Sequence, residues 1–395
     1  MGVEMSPERL MTRQIGAVEN LFLAYSEANA MTFALVAAFD RELPKGALTS
    51  ALRTVQAVHP CLQVSIDIGG DGRLGFFRCD RPIDLQVKTV RYIDHEQEIA
   101  DALVNHLDAA QGPLMRLSAI SDGERTCVIG VWHHAIADGK GALNILKQLV
   151  EVIHGEPAPT SVEHDYIDRY VADSLPELFR TAIISPSDNR RPMILINEIS
   201  SSVTASLLDL VKRHQSTLNS LLVAAVAQAH QHPIGDAAAN IMTPVDVRSF
   251  FGTEDNDGVF LTTAVTARLE GEGIWSHASR VADAARSARD PKAVGGFVSA
   301  IGSRFSAAGN YDAARDQIVM QGPFDTIVTN LGVIEWLQYP PTSRARIYGP
   351  ILKPLPGHDI IAASTFAGRL TLIQSSVNGD STLLRRAVSL LEGLI

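Results

Sequence analysis

Between residues 125 and 153 a β-compatible run, Arg125 to Trp132, ends in the turn HHAIADGKG and leads into Ala142–Ile153, where apolar residues return at helical spacing. A side-chain period of two that changes to 3.6 across a short turn describes a strand, a tight connection and a helix. Gly139 and Gly141 stand in that turn, and glycine permits backbone conformations with positive φ. A strand end followed by such a turn is a rigid place from which to present one side chain, and His133, His134 and Asp138 are the candidates it presents.

The same mixture of periods recurs along the chain. Met31–Asp40 reads as a strand and Leu48–Ala57 as a helix. Leu62–Asp67 and Leu74–Arg78 read as a hairpin around GGDGR, and Pro113–Ser121 pairs naturally with Arg125–Trp132 across Asp122-Gly123. Glu96–Ala109 is a helix candidate. From Gly155 to Pro192 prolines and polar clusters weaken the periodicity, which predicts a crossover between two lobes with a boundary near residue 180. Beyond it the expected strands are Met193–Ile199, Ala239–Val247, Val259–Leu269, Thr326–Leu331, Asp359–Phe366 and Arg369–Val377. The expected helices are Ser202–His214, Thr217–His230 with Ser216 as N-cap, Trp275–Ala288, and a closing helix from Ser381. The whole is an α/β (α+β) pattern, divided into residues 1–180 and 181–395, and 395 residues exceed what a single core usually serves.

Composition narrows the function. A net charge of −10 with no long basic run argues against nucleic acid as a partner. Cys61, Cys79 and Cys127 have no metal-like spacing and are odd in number, so a reducing, cytoplasmic setting is expected. The first residues lack a charged segment followed by an apolar one, so no secretory signal is expected. The most apolar helix candidate, Leu218–His230, is too short to cross a bilayer, which takes about 20 residues; a soluble monomer is the expectation.

An imidazole with an unperturbed pKa of about 6.5 can accept and return a proton near neutral pH, as acyl transfer to a hydroxyl or amine requires. Other chemistries find less support. His134 and Asp138 are four residues apart, as helical metal ligands would be, yet the glycines argue against a continuous helix there, and no HExxH occurs. No metal is therefore expected. There is no GxSxG elbow for a serine hydrolase, and no GxGxxG or Walker loop for a nucleotide phosphate.

The segment WHHAIADGKGALNIL resembles the HHxxxDG signature of the condensation-domain and chloramphenicol acetyltransferase-like superfamily. Four further segments resemble its elements in the same order: Ala57–Leu62 (RHPxLR, departing at Ala57 and Gln63), Gly112–Arg116 (GPLxR), Pro244–Arg248 (PVDxR) and Asp325–Gly332 (SNLG). Together they span roughly Arg13 to Gly332, and the branch of stand-alone acyltransferases related to phthiocerol dimycocerosyl transferase and alcohol acetyltransferases is the nearest likeness.

The resemblance implies two similar lobes, each a mixed sheet with helices, meeting along a tunnel. It implies His134 as general base, His133 as a supporting residue, and Asp138 as a structural carboxylate held by an arginine, with Arg248 the candidate. Gly139 and Gly332 are read as backbone requirements, and Asn330 as either an oxyanion donor or a turn cap. His59 belongs to a structural element of the first lobe. The implied donor is an acyl thioester of CoA or of a carrier protein's phosphopantetheine arm, and the acceptor a small alcohol or amine, with no permanently bound cofactor. Because carrier proteins are commonly acidic, Arg190, Arg191, Arg344, Arg346 and Lys353 are candidates for a basic dock. The competing expectation is a non-catalytic or repurposed relative that binds or cyclises a biosynthetic intermediate.

Overall fold

The computed structural model describes residues 10–28, 32–157, 160, 164–172, 178, 180, 182–184, 189–230, 239–253, 257–259, 261–269, 273–306, 311–320, 324–335, 346–355, 358–377 and 382–395. In chain order the first half forms β1 (Met11–Gln14), α1 (Ala17–Glu27), β2 (Thr32–Phe39), α2 (Lys45–Val58), β3 (Val64–Ile68), β4 (Leu74–Arg78), β5 (Asp84–Thr89), α3 (His95–Val104), β6 (Met115–Ser121), β7 (Thr126–His133) and α4 (Gly139–Ile153). The crossover carries β8 (His164–Tyr166) and α5 (Asp168–Val171). Then follow β9 (Met193–Ile199), α6 (Ser201–Arg213), α7 (Leu218–His230), β10 (Ala239–Asp246), α8 (Arg248–Phe251), β11 (Asp257–Val259), β12 (Leu261–Leu269), α9 (Ile274–Ser287), α10 (Pro291–Ser306), α11 (Tyr311–Met320), β13 (Thr326–Ile334), β14 (Arg346–Leu352), β15 (Asp359–Phe366), β16 (Arg369–Ser376) and α12 (Thr382–Glu392).

Two mixed sheets organise these elements. One has the order β14-β2-β7-β6-β5, antiparallel except for the parallel pair β5 and β6. The other has the order β12-β10-β13-β15-β16-β9, with parallel pairing of β10 to β13 and of β13 to β15. The first sheet is not built from the first 180 residues alone. Its edge strand β14 comes from far along the chain and pairs Arg346 with Ala38 and Ile347 with Ala37. Packing follows suit: one apolar cluster joins Phe33, Leu35, Trp132 and Leu146 to Leu331, Ile334 and Ile360. A second cluster draws only on residues from Ile199 onward, where α7, α9 and α12 cover the larger sheet.

Local chemistry accounts for three departures from the expected elements. Helix α3 ends at Val104 rather than Ala109, because Arg116 donates to the carbonyls of Ala102 (2.7 Å) and Asn105 (2.9 Å) and so satisfies its last turn. Helix α7 is capped by Thr217, whose Oγ1 accepts from the Ser220 N–H at 3.1 Å, while the buried Ser216 Oγ has no hydrogen-bond partner among the described residues. The run from Val259 to Leu269 divides, since β11 leaves the large sheet to pair in parallel with β8.

Candidate active site

Strand β7 delivers its histidines through register. Thr32 of β2 pairs with His133 and Phe33 with Trp132, so the strand is held up to its last residue. Trp132 lies over Gly130, where an added Cβ would stand 2.2 Å from the indole, and Phe33 packs beside that indole at 6.0 Å. His134 then emerges from the strand end and meets two rings. The Phe22 ring of α1 is parallel to it, with centroids 3.8 Å apart and planes at 1°, and Phe33 is tilted at 52° with centroids 4.8 Å apart.

His133 and His134 are both buried, and their chemistry differs. The Nδ1 of His133 accepts the Ala135 N–H at 3.2 Å, which ties the imidazole into the turn and leaves Nε2 as the protonated nitrogen of the neutral ring. Burial pushes His133 down to about 3, with repulsion from His134 adding to it. The Nδ1 of His134 has no hydrogen-bond partner among the described residues. Burial pushes its pKa down to about 4, and the nearby carbonyls of His134 and Ala137 and the Asp138 carboxylate oppose this without reversing it. Both rings are neutral across the physiological range.

Asp138 is the N-cap of α4: its Oδ1 accepts from the N–H groups of Lys140 and Gly141, both at 3.0 Å. Its two oxygens also receive a bidentate pair from Arg248, Nη1 to Oδ2 at 2.7 Å and Nη2 to Oδ1 at 2.8 Å. Arg248 reaches further, to Gly258 O at 3.2 Å, and the Asp138 N–H donates to the same carbonyl at 2.9 Å. Asp138 and Arg248, 110 residues apart, thus close a buried clasp between the histidine turn and the later half of the chain.

The glycines serve this closeness. Neither Gly139 nor Gly141 has a positive φ, contrary to the expectation from the turn. They are needed for contact instead: a Cβ on Gly139 would stand 2.9 Å from the Leu331 side chain, and one on Gly141 would stand 3.0 Å from Gly258 N. Gly332 does take a positive φ of 75°, at an irregularity between β13 and β15. Asn330 sits beside it, its Oδ1 accepting the Gly332 N–H at 2.8 Å.

His59 is fully buried and bonds through Nε2 to Gln148 of α4, a packing role in the first half. Of the basic candidates for a dock, the structure takes Lys353 off the surface. Lys353 is fully buried with its Nζ 3.5 Å from His106, Arg191 pairs with Asp101, and Arg346 with Glu198. Arg190 is exposed, and Arg344 lies outside the described residues. No cluster of three or more metal-ligating side chains occurs among the described residues, and no described helix is long and apolar enough to cross a membrane. The three cysteines are buried, and they form no disulfide among the described residues.

Sequence reasoning passed over Phe22 and the whole of α1, although Val18, Leu21, Phe22 and Tyr25 have helical spacing that would have revealed it. It also passed over Gly258, which nothing in a single sequence distinguishes from other glycines.

No family model matches the sequence, and no curated protein matches it either. Solved structures do match. Polyketide synthase associated protein 5 from Mycobacterium tuberculosis is similar over 99% of both chains, with a TM-score of 0.70 and 17% identity. The trichothecene 15-O-acetyltransferase TRI3 from Fusarium sporotrichioides is similar over 99% of this chain and 96% of its own, at TM-score 0.67 and 13% identity. The starter condensation domain of rhizomide synthetase, in complex with C8-CoA and Leu-SNAC, is similar over 97% and 94%, at TM-score 0.61 and 16% identity. At such identities the likeness is one of fold. Over 97–99% of its length the chain shares the mixed α/β fold of these three structures, an acetyltransferase and a condensation domain among them.

Proposed function

We propose that this protein is an acyltransferase that moves an acyl group from a thioester of CoA or carrier-bound phosphopantetheine to the hydroxyl or amine of a small acceptor, with His134 as general base. The observation that carries the reading is the division of labour in the turn. The Asp138 carboxylate is taken up by Arg248 and the α4 cap, and His133 is tied to the turn by the Ala135 N–H. His134 remains as the neutral imidazole of the motif with no hydrogen bond to Nδ1 among the described residues.

The ring removes the acceptor's proton as its oxygen or nitrogen attacks the thioester carbonyl. The tetrahedral adduct collapses with loss of the thiolate, and the imidazolium returns the proton to sulfur. No acyl-enzyme forms. In this reading Asp138, Arg248 and Gly139 hold the turn, and the Nδ2 of Asn330 donates to the developing oxyanion, a contribution of about 3–4 kcal/mol for one such donor. Donor and acceptor meet at His134 in a passage between residues 1–180 and 181–395, which holds both in line and keeps water from the thioester. The likeness to an acetyltransferase and to a domain that holds C8-CoA supports this choice.

The test is acyl transfer from a panel of acyl-CoA and acyl-carrier thioesters to mixed alcohols and amines, followed by mass spectrometry, for the wild type and His134→Ala. Transfer should collapse in the variant while its fold persists. Undiminished transfer would exclude His134 as the base, and no transfer by the wild type would favour a binding or cyclising protein.

A further inference from the structure

We propose that Phe22 is a positioning residue for His134: its ring face fixes the plane of the imidazole and stabilises the imidazolium that exists while His134 carries the acceptor's proton. The inference rests on the general-base reading above and adds to it a residue outside the HHxxxDG signature.

Ring geometry is the starting point. Two neutral aromatic rings avoid full face-to-face overlap, because their quadrupoles repel, and settle offset or edge to face. The Phe22 and His134 rings are parallel within 1° at a centroid separation of 3.8 Å, closer than aromatic pairs usually stand. That arrangement is favourable when one ring is a cation, since the negative face of the other then attracts it, and most so where water is excluded. Phe22 is 4% exposed and His134 is 6% exposed.

The base needs such help. Burial, the largest influence on it, opposes the charged form, and the facing groups are few: Asp138 and His133 on its own turn, Phe22 from α1, and Phe33 from β2. Of these Asp138 is already neutralised by Arg248. The carbonyls of His134 and Ala137 favour the charge without reversing the effect of burial, and the aromatic faces of Phe22 and Phe33 add to them.

Phe22 is also held in place by a built anchor. The Gly16 N–H and Arg13 Nη1 each donate to Glu19 Oε2 at 2.8 Å, and the Ala17 N–H donates to Asp168 Oδ1 at 2.6 Å. The first turn of α1 is therefore tied to β1 and to the crossover, so the helix cannot slide along His134.

The decisive experiment replaces Phe22 by mono-, di- and trifluorophenylalanine in the full chain, a series that drains the ring face of negative charge with little change of shape. Two quantities are read: kcat/KM for acyl transfer, and the midpoint of His134 titration by nitrogen-15 NMR in protein without substrate. Each should fall stepwise with fluorination, by roughly 3- to 30-fold across the series in rate and in the protonation constant, while KM and the thermal midpoint hold steady. A flat NMR response would overturn the inference whatever the kinetics. A stepwise NMR response in a protein that transfers no acyl group would uphold the ring pairing and reject the acyltransferase reading instead.

Discussion

In the proposed reaction His134, with a pKa of about 4, would be an uncommon general base, because proton acceptance is most efficient when the base titrates near the working pH. The cost of a low pKa falls on each proton it takes, while the benefit is that the ring is never lost to protonation at neutral pH. The activity profile should show this directly. With substrate well below KM, kcat/KM should stay level from pH 8 down to about 5.5 and decline only below it, rather than around the 6.5 of an ordinary histidine. A half-maximal point at 6.5, with enzyme shown to survive the incubation, would contradict the buried, neutral state of His134. The motif singled out His133, and the structure has its Nδ1 accept the Ala135 N–H. Phe22 was not legible, because nothing in sequence spacing connects a helix at residue 22 with a turn at residue 134.

At the scale of elements, the strand β7 and the helix α4 stand where period put them, although α4 begins at Gly139 and takes in both glycines expected in the turn, and β9 agrees with its expected residues from end to end. Alternation and helical spacing are local, so a single sequence carries them. The clasp that holds the turn is long-range, and its energetics follow from burial. Arg248 and Asp138 are both nearly inaccessible, so removing one partner leaves the other charged and unpaired in the interior. Asp138→Ala should therefore cost about 3–5 kcal/mol in urea denaturation, and Arg248→Met a similar amount, with activity lost through a displaced turn. Replacing both at once should cost clearly less than the sum of the two, as expected of a coupled pair. Additive losses would mean that the clasp does not hold the turn.

Across the whole molecule, the two buried histidines couple folding to pH. Their folded pKa values, about 3 and about 4, lie below the unfolded value near 6.5, so the unfolded chain binds protons that the folded one refuses. Stability is full above pH 6.5 and is lost as pH falls below it, by about 3–4 kcal/mol between pH 7 and 5 for the pair. Asp168 acts in the opposite sense. Burial raises it to about 6, so its protonated form favours folding and recovers about 1 kcal/mol over the same interval. Denaturation at the two pH values should show a net fall of about 2–3 kcal/mol, and His134→Ala should remove roughly 2 kcal/mol of that fall; an unchanged dependence in the variant would show that His134 titrates normally. The sequence by itself determined the mixed α/β character, most of the strands and helices, and the place of the histidine turn, because each depends on neighbours within one or two turns of chain. Only the tertiary structure decided that β14 crosses to complete the first sheet, that the Asp138 N–H and Arg248 both bond the Gly258 carbonyl, that Lys353 is buried rather than free to dock a partner, and that Phe22 faces His134. Those are contacts between residues far apart in the chain, selected by the burial of apolar surface and the pairing of buried charge, and neither leaves a periodic trace in the sequence.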